Sequence, residues 1–352
     1  MYYAHLNTTE TEVMNMSELQ TEKKKIVLSG IQPSGQFTLG NYIGAIRNWN
    51  LLQDNYDCRF MVADLHSITV RQEPAKLRAQ TYQAMANLLA AGLDPERNVL
   101  FIQSHVPAHA EMAWVLNCYT MFGELQRMTQ FKDKSQKYAD NINAGLFTYP
   151  VLMAGDILLY QADLVPTGQD QKQHIEIARD IANRFNGIYG NVFKIPEPYI
   201  PQAGAKIMSL AEPEKKMSKS DANPNAIVLV TDKPEDIMRK FKRAVTDSEA
   251  SVCYAEGKDG INNLMTIYSI ATGLTYEQIE HDFAGKGYGD FKTACGEAVV
   301  EMLRPFREKT EELLKNKDYL DQVCAQGAQR ASYLANRTLD KVYKKVGFVK
   351  KP

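Results

Sequence analysis

Residues 26–42 read IVLSGIQPSGQFTLGNY, and this stretch decides the fold. Ile26 to Ser29 is a short apolar run ending at Gly30, with the length and composition of a buried strand. Ile31 to Thr38 forms a loop carrying proline, serine and glycine, and a helical pattern runs from Gly40 to about Gln53. Strand, glycine-containing turn and helix, in that order, let backbone amides approach a phosphate group at the helix start.

The same alternation continues downstream. Cys58 to Ala63 (CRFMVA) is a second buried strand, ending at Asp64 and His66. Pro74 starts a helix with apolar positions Leu77, Met85, Leu88 and Leu89, closed by Gly92, and Val99 to Ile102 makes a third strand. Short apolar strands alternating with helices imply an α/β fold, a parallel sheet with helices on both faces. Ligands of such sheets bind beyond the carboxyl ends of the strands, so Gly30 to Ser34 and Asp64 to His66 are expected to face one crevice. Residues 105 to about 150 interrupt the alternation and are read as a helical insertion. A helix is expected over Ala144 to Tyr160, then Leu164 and Val165 lead into Pro166–Gly168, and a helix over Gln171 to Phe185 stops at Gly187. From about Pro224 the pattern is helical: 234–245, 261–272, 275–284, 290–315 with Pro305 inside, and 317–345. The expected organisation is a flexible tail over 1–25, a catalytic domain over 26–223 and an all-helical C-terminal domain over 224–352.

Composition bounds the class. With 352 residues, 44% hydrophobic and 24% charged, the chain can bury a substantial core, and its length suggests about two domains. A formal net charge of -1 shows no overall basic excess, so nucleic-acid contact must rest on local patches. Five cysteines, at 58, 118, 253, 295 and 324, form no CxxC pair, which argues against a disulfide framework or a thiolate zinc site and for a reducing, cytoplasmic setting. Residues 1–25 carry Glu10, Glu12, Glu18 and Glu22 and no arginine, unlike a secretory or mitochondrial leader. No run approaches the roughly 20 apolar residues that span a bilayer.

The second informative segment is Lys216, Met217, Ser218, Lys219, Ser220, the pentapeptide KMSKS. Two ammonium groups interleaved with hydroxyls make a short clamp for a polyphosphate. The upstream turn supplies the other jaw.

Together, Thr38, Leu39, Gly40, Asn41 and KMSKS closely resemble the motifs of bacterial tryptophanyl-tRNA synthetases. In class I synthetases the turn carries the HIGH motif, and in the tryptophanyl branch it looks like TIGN. Gly40 permits close backbone approach, while Thr38 and Asn41 offer neutral donors to phosphate oxygens. Tyr149 to Tyr160 (YPVLMAGDILLY) looks like the family's substrate helix and Gly168, Gln169, Asp170, Gln171 like its GxDQ turn; the similarity covers about residues 26–349. The resemblance implies a Rossmann-like catalytic domain and a helical domain that reads the tRNA anticodon. It implies ATP as substrate with accompanying Mg2+ held mainly by phosphates, L-tryptophan and tRNA(Trp) as partners, and a homodimer whose interface falls in the insertion at 105–150.

Carried over position by position, the resemblance makes Thr38, Asn41, Lys216 and Lys219 catalytic. ATP contacts are expected from Gln32, Pro33, Ser34, Gly40, Asn41, Gly168, Gln169, Asp170, Ile207, Lys216, Met217, Ser218, Lys219 and Ser220. Many relatives have glutamate where Gln169 stands, which keeps the acceptor and loses the charge. Asp156 lies in an otherwise apolar run, so its carboxylate must be paired or functional. An indole N–H is a donor only, and the resemblance assigns Asp156 as its acceptor. Tyr149 and Gln171 are expected at the amino and carboxylate groups of the amino acid, and Met153 against its ring.

The remaining signals are read blandly. His66 matches a pocket position, with Leu65 in place of the usual glutamine, but a histidine at a strand end is read as structural and stays outside the catalytic set. His105 and His109 have zinc-pair spacing, yet Pro107 between them and the missing HExxH glutamate favour a helix entry and no metal. Arg239 to Arg243 and a tail with Arg337, Lys341, Lys344, Lys345, Lys350 and Lys351 are the candidate basic patches for RNA. Three rival readings share parts of this pattern. A tyrosyl-tRNA synthetase generally keeps histidines in the turn, a regulatory paralogue would not need the lysines intact, and an adenylyltransferase would not need the helices after 224.

Overall fold

The computed structural model describes residues 24–33, 37–46, 52–132, 141–168, 172–199, 206–218 and 221–350. The tail expected over 1–25 lies outside them except for Lys24 and Lys25. The strands β1 (Ile26–Ile31), β2 (Asp57–Val62), β3 (Val99–Ile102), β4 (Leu164–Pro166) and β5 (Glu197–Tyr199) form one parallel sheet in the order β3-β2-β1-β4-β5. Ile26 stands opposite Asp57 and Ile31 opposite Val62, while Val27 pairs on its other side with Leu164. Strand order reverses at β1, so the crevice opens between the carboxyl ends of β1 and β4.

Local chemistry explains the helices that frame this crevice. A single turn, α1 (Leu39–Asn41), follows the loop after β1, continues as a π-type turn over Tyr42–Ile46, and is followed by the short α2 (Asp64–Ser67) after β2. The Glu73 carboxylate accepts from Ala75 N at 2.9 Å and Lys76 N at 2.7 Å, which caps α3 (Pro74–Ala90) at the expected proline. The insertion contains α4 (Ala108–Asn117) and α5 (Phe122–Gln126), and α6 (Ala144–Leu159) follows, capped by Asn143. These helices belong to the core on one side, since Met112, Val115 and Leu116 of α4 pack with Ala154, Ile157 and Leu158 of α6. The helix α7 (Lys172–Tyr189) runs through the expected stop at Gly187. Its chain reverses at Gly190, whose φ of +80° supplies the left-handed conformation that a helix stop needs.

The C-terminal part is helical, with α8 (Pro234–Lys242), α9 (Asp259–Thr272), α10 (Tyr276–Asp282), α11 (Tyr288–Lys315) and α12 (Lys317–Val346). Pro305 sits inside α11, as read from the sequence. The helix α12 and the end of α11, at Leu313, share their cores with the sheet. Ala331, Ala335, Leu339 and Val342 of α12 pack with Phe101, Met112 and Ile157, while Leu313, Leu320 and Val323 pack with Val27, Phe60 and Leu100. Burying each such Leu or Val contributes about 1.5–3 kcal/mol, so this helix is integral to the stability of the sheet. At Gly327 it approaches β3 so closely that a Cβ would stand 1.6 Å from the Leu100 carbonyl oxygen. A third cluster joins Phe37, Leu39 and Ile43 of the turn to Ile207, Met217 and Val228, and through them to Ile261 and Leu264 of α9.

Candidate active site

The Thr38–Asn41 turn is held from both ends. Thr38 N and Thr38 Oγ1 each donate to Asn41 Oδ1 at 3.1 Å, and Asn41 N donates to Thr38 Oγ1 at 3.2 Å, a reciprocal cap. Because the backbone N–H of Thr38 fixes Oδ1 as the acceptor, the amino group of Asn41 occupies the other side of the carboxamide and keeps its donors. Thr38 is buried and its hydroxyl hydrogen is committed to the cap, so it positions Asn41. Outside the cap, Leu39 N donates to Val228 O at 2.7 Å and Val230 N to Phe37 O at 2.9 Å, tying the turn to the strand-like segment after KMSKS.

That segment is itself anchored. Asp232 Oδ2 accepts from Leu229 N at 2.8 Å and from Lys240 Nζ at 2.5 Å. Lys240 is therefore a buried ion-pair partner, and Phe241 beside it is core. Of the run expected to form a basic patch, Arg239 pairs with Asp236 at 2.8 Å and stays exposed, as do Lys242 and Arg243. The reason is helical period: Ile237, Lys240 and Phe241 fall on one inward face of α8. In the tail, Lys341 Nζ bonds Asn191 O at 3.4 Å and Lys345 Nζ bonds Tyr189 O at 2.7 Å, at the carbonyl end of α7.

The KMSKS segment begins as one side of a clip. Met217 N donates to Ile207 O at 3.0 Å and Ser209 N to Lys215 O at 2.8 Å, with Met208 and Lys216 bridged antiparallel between them. Met217 is buried, whereas Lys216 and Ser218 are exposed. Gly40 rests against this clip: a Cβ there would meet Ile207 Cβ at 3.6 Å and Met217 Cβ at 3.8 Å. The two motifs, far apart in sequence, are thus in contact. Asn263 of α9 holds the clip from behind, accepting from Met208 N at 2.9 Å and donating to Met208 O at 3.0 Å. Val245 N adds a bond to Leu210 O at 2.8 Å.

At the other end of the crevice stands Asp156, 2% exposed on α6. His109 Nδ1 reaches its Oδ1 at 2.6 Å, Gln103 Nε2 reaches the same oxygen at 2.8 Å, and His66 Nε2 reaches Oδ2 at 2.8 Å. Burial opposes the charge on Asp156, but the hydrogen bonds from His109 and His66 outweigh it and hold the carboxyl below its ordinary range. The buried carboxylate is therefore an anion paired by imidazoles and an amide. Gln103 follows β3, and its Oε1 accepts from Leu65 N at 3.1 Å, which ties the ends of β2 and β3 together. Nearby, Tyr149 OH meets His174 Nε2 at 2.9 Å, and burial pushes the Tyr149 phenol up to about 12. Its ring stands edge-on to His66 at 6.3 Å between centroids, and Met153 is half-buried one turn before Asp156.

The other expected residues distribute as follows. Gln32 and Gly168 are exposed just past β1 and β4, Pro33 and Ile207 are buried, and Thr167 N donates to Tyr199 O at 3.1 Å. Ser34, Gln169, Asp170, Gln171, Lys219 and Ser220 lie outside the described residues. His105 is exposed, whereas His109 is buried with its two ring nitrogens on Asp156 and Tyr160. Sequence reasoning left His66 aside and did not single out Gln103 or His109 as partners of Asp156. The strand-end rule that picked Asp64 to His66 would have picked Gln103 as well.

A family model described as tRNA synthetases class I (W and Y) matches residues 20–304. Among curated relatives, the tryptophan–tRNA ligase of Clostridium acetobutylicum is 57% identical over 329 residues, covering 93% of this chain and 98% of that one. Among solved structures, the tryptophanyl-tRNA synthetase of Mycoplasma pneumoniae superposes with a TM-score of 0.83 at 36% identity, covering 93% of this chain and 98% of that chain. The Campylobacter jejuni tryptophanyl-tRNA synthetase, solved with ADP and tryptophan, gives 0.81 at 34% identity, with coverages of 92% and 100%.

Proposed function

The chain belongs to the class I tRNA synthetases (W and Y), and from that membership and the site's chemistry we infer that it is a tryptophan–tRNA ligase. It activates L-tryptophan with ATP to the adenylate, releasing pyrophosphate, and transfers tryptophan to tRNA(Trp). The observation that calls for an amino acid whose ring carries a hydrogen-bond donor is Asp156, a buried anion that presents acceptors only, and the similarity to tryptophan–tRNA ligases favours tryptophan over tyrosine as that amino acid.

The tryptophan carboxylate attacks the α-phosphorus of ATP in line, and pyrophosphate leaves. Catalysis is positioning and charge stabilisation. Lys216 and, by its place in the motif, Lys219 neutralise charge growing on the departing pyrophosphate. Asn41 turns its amino group to the phosphate oxygens while Thr38 holds it. Gln32, Pro33, Ser34, Gly168, Gln169, Asp170, Ile207, Met217, Ser218 and Ser220 complete the ATP site. Tyr149, Met153 and Gln171 complete the tryptophan pocket around Asp156. Mg2+ travels on the phosphate oxygens of ATP.

Residues 224–352 supply the tRNA-reading surface. The insertion supplies the homodimer interface, and within it Trp114 and Phe122 are 69% and 68% exposed, with Met121 and Ile142 exposed as well. All five cysteines are unpaired, which fits the cytoplasm, and no helix among the described residues is long and apolar enough to cross a membrane. Charging assays with labelled amino acids test the reading. Transfer of tryptophan, and not tyrosine, to tRNA is expected; transfer of tyrosine, or no transfer, would overturn it.

A further inference from the structure

We propose that His109 and Gln103 are specificity-determining positioning residues: they fill both acceptor directions of Asp156 Oδ1 and leave Oδ2 as the atom that receives the ring N–H of the amino acid. The inference rests on the reading of Asp156 as the indole acceptor and adds the groups that aim it. An ionised carboxylate offers about four acceptor positions. His109 and Gln103 take two on Oδ1 and His66 takes one on Oδ2, so the remaining position lies on Oδ2.

Each donor is itself fixed. The carboxylate can only accept, so His109 carries its proton on Nδ1, and in the neutral ring Nε2 accepts from Tyr160 OH at 2.9 Å. Tyr160 follows Asp156 by four residues, so aspartate, imidazole and phenol close a ring along α6. The His109 ring also lies 5.7 Å from Phe101 and 5.6 Å from Tyr160. Gln103 cannot flip its amide without setting its Nε2 against Leu65 N, which now donates to its Oε1. His109 and Gln103 are both 0% exposed, so they act through Asp156 and do not touch the substrate. A carboxylate aimed in this way selects a ring that brings an N–H. A ring of equal shape without one leaves a buried anion unpaired.

The test is pyrophosphate exchange with tryptophan and with its benzothienyl analogue, in which sulfur replaces the ring N–H. In His109→Phe and Gln103→Met, the ratio of kcat/KM for tryptophan over the analogue is expected to fall by about 10- to 100-fold, the worth of a hydrogen bond to a charged group. The loss should lie in the KM for tryptophan, with the analogue little changed. His109→Gln, which keeps a donor, should recover part of the ratio. An unchanged ratio with equal losses for both substrates and a lower melting temperature overturns the proposal and leaves a purely structural role. Gln103→Met carries the test if His109→Phe does not fold. A wild-type protein that does not use tryptophan would fail the functional reading; a discriminating wild type with indifferent variants fails this inference alone.

Discussion

Replacing Asn263 with alanine removes both hydrogen bonds to Met208, at 2.9 and 3.0 Å, from the side of the clip facing α9. Asn263 is buried, and each backbone group left without a partner costs about 1–3 kcal/mol. Water entering the vacated space recovers part of that, so a net loss of about 2 kcal/mol in the clip's present conformation is expected. If that conformation is the one that presents Lys216, about 2 kcal/mol corresponds to a roughly 30-fold fall in the rate of activation. The tryptophan site proposed at Asp156 is held by His66, Gln103 and His109, whose bonds to it involve no residue of the clip, so the KM for tryptophan should stay within about twofold. Asn263→Asp keeps an acceptor for Met208 N but sets carboxylate charge against Met208 O, and should behave no better than alanine. The assay is tryptophan-dependent pyrophosphate exchange at saturating ATP, with urea unfolding as a control. A rise in the KM for tryptophan at unchanged kcat would refute the reasoning, because the Asn263 contact would then serve the amino-acid pocket.

Gly40→Ala meets only ordinary contacts, at 3.6 Å or more, so melting should be unchanged within about 0.5 kcal/mol while the KM for ATP rises about tenfold or more; unchanged ATP kinetics would mean that no ligand approaches this backbone. Gly327→Ala drives a methyl group into the Leu100 carbonyl oxygen and should destabilise by about 3 kcal/mol or more in denaturant unfolding; a loss under 0.5 kcal/mol would deny the close passage of α12 over β3. The depressed carboxyl of Asp156 makes a stability contribution that is present above about pH 4 and lost as pH falls through its folded value. The stability difference between wild type and Asp156→Asn should therefore be constant from about pH 8 to 5 and shrink below about 4; a difference that grows on acidification would contradict the assignment.

The sheet and the two motif loops were legible because their signals are local. Ile26–Ser29, Cys58–Ala63 and Val99–Ile102 each announce a buried strand within six residues, and Gly40 and Lys216 sit in short patterns whose chemistry is self-contained. The partners of Asp156 were not legible, since His66, Gln103 and His109 lie 90, 53 and 47 residues away and meet it only through the sheet. Lys240 was readable and was misread: charge alone suggested a surface, whereas its spacing from Ile237 and Phe241 placed it inside. The course of α12 across β3 needed coordinates, because an amphipathic stripe says that a face is buried without saying against what. Gly327, a glycine inside a long helix, was the one local hint of that close approach.

The central claim, that this site activates tryptophan, is tested most directly by exchange of labelled pyrophosphate into ATP with tryptophan or tyrosine as the only amino acid. The account predicts exchange with tryptophan, at least about a hundredfold less with tyrosine, and loss of that preference in Asp156→Asn. Exchange driven equally by tyrosine, or no exchange with tryptophan, would contradict it.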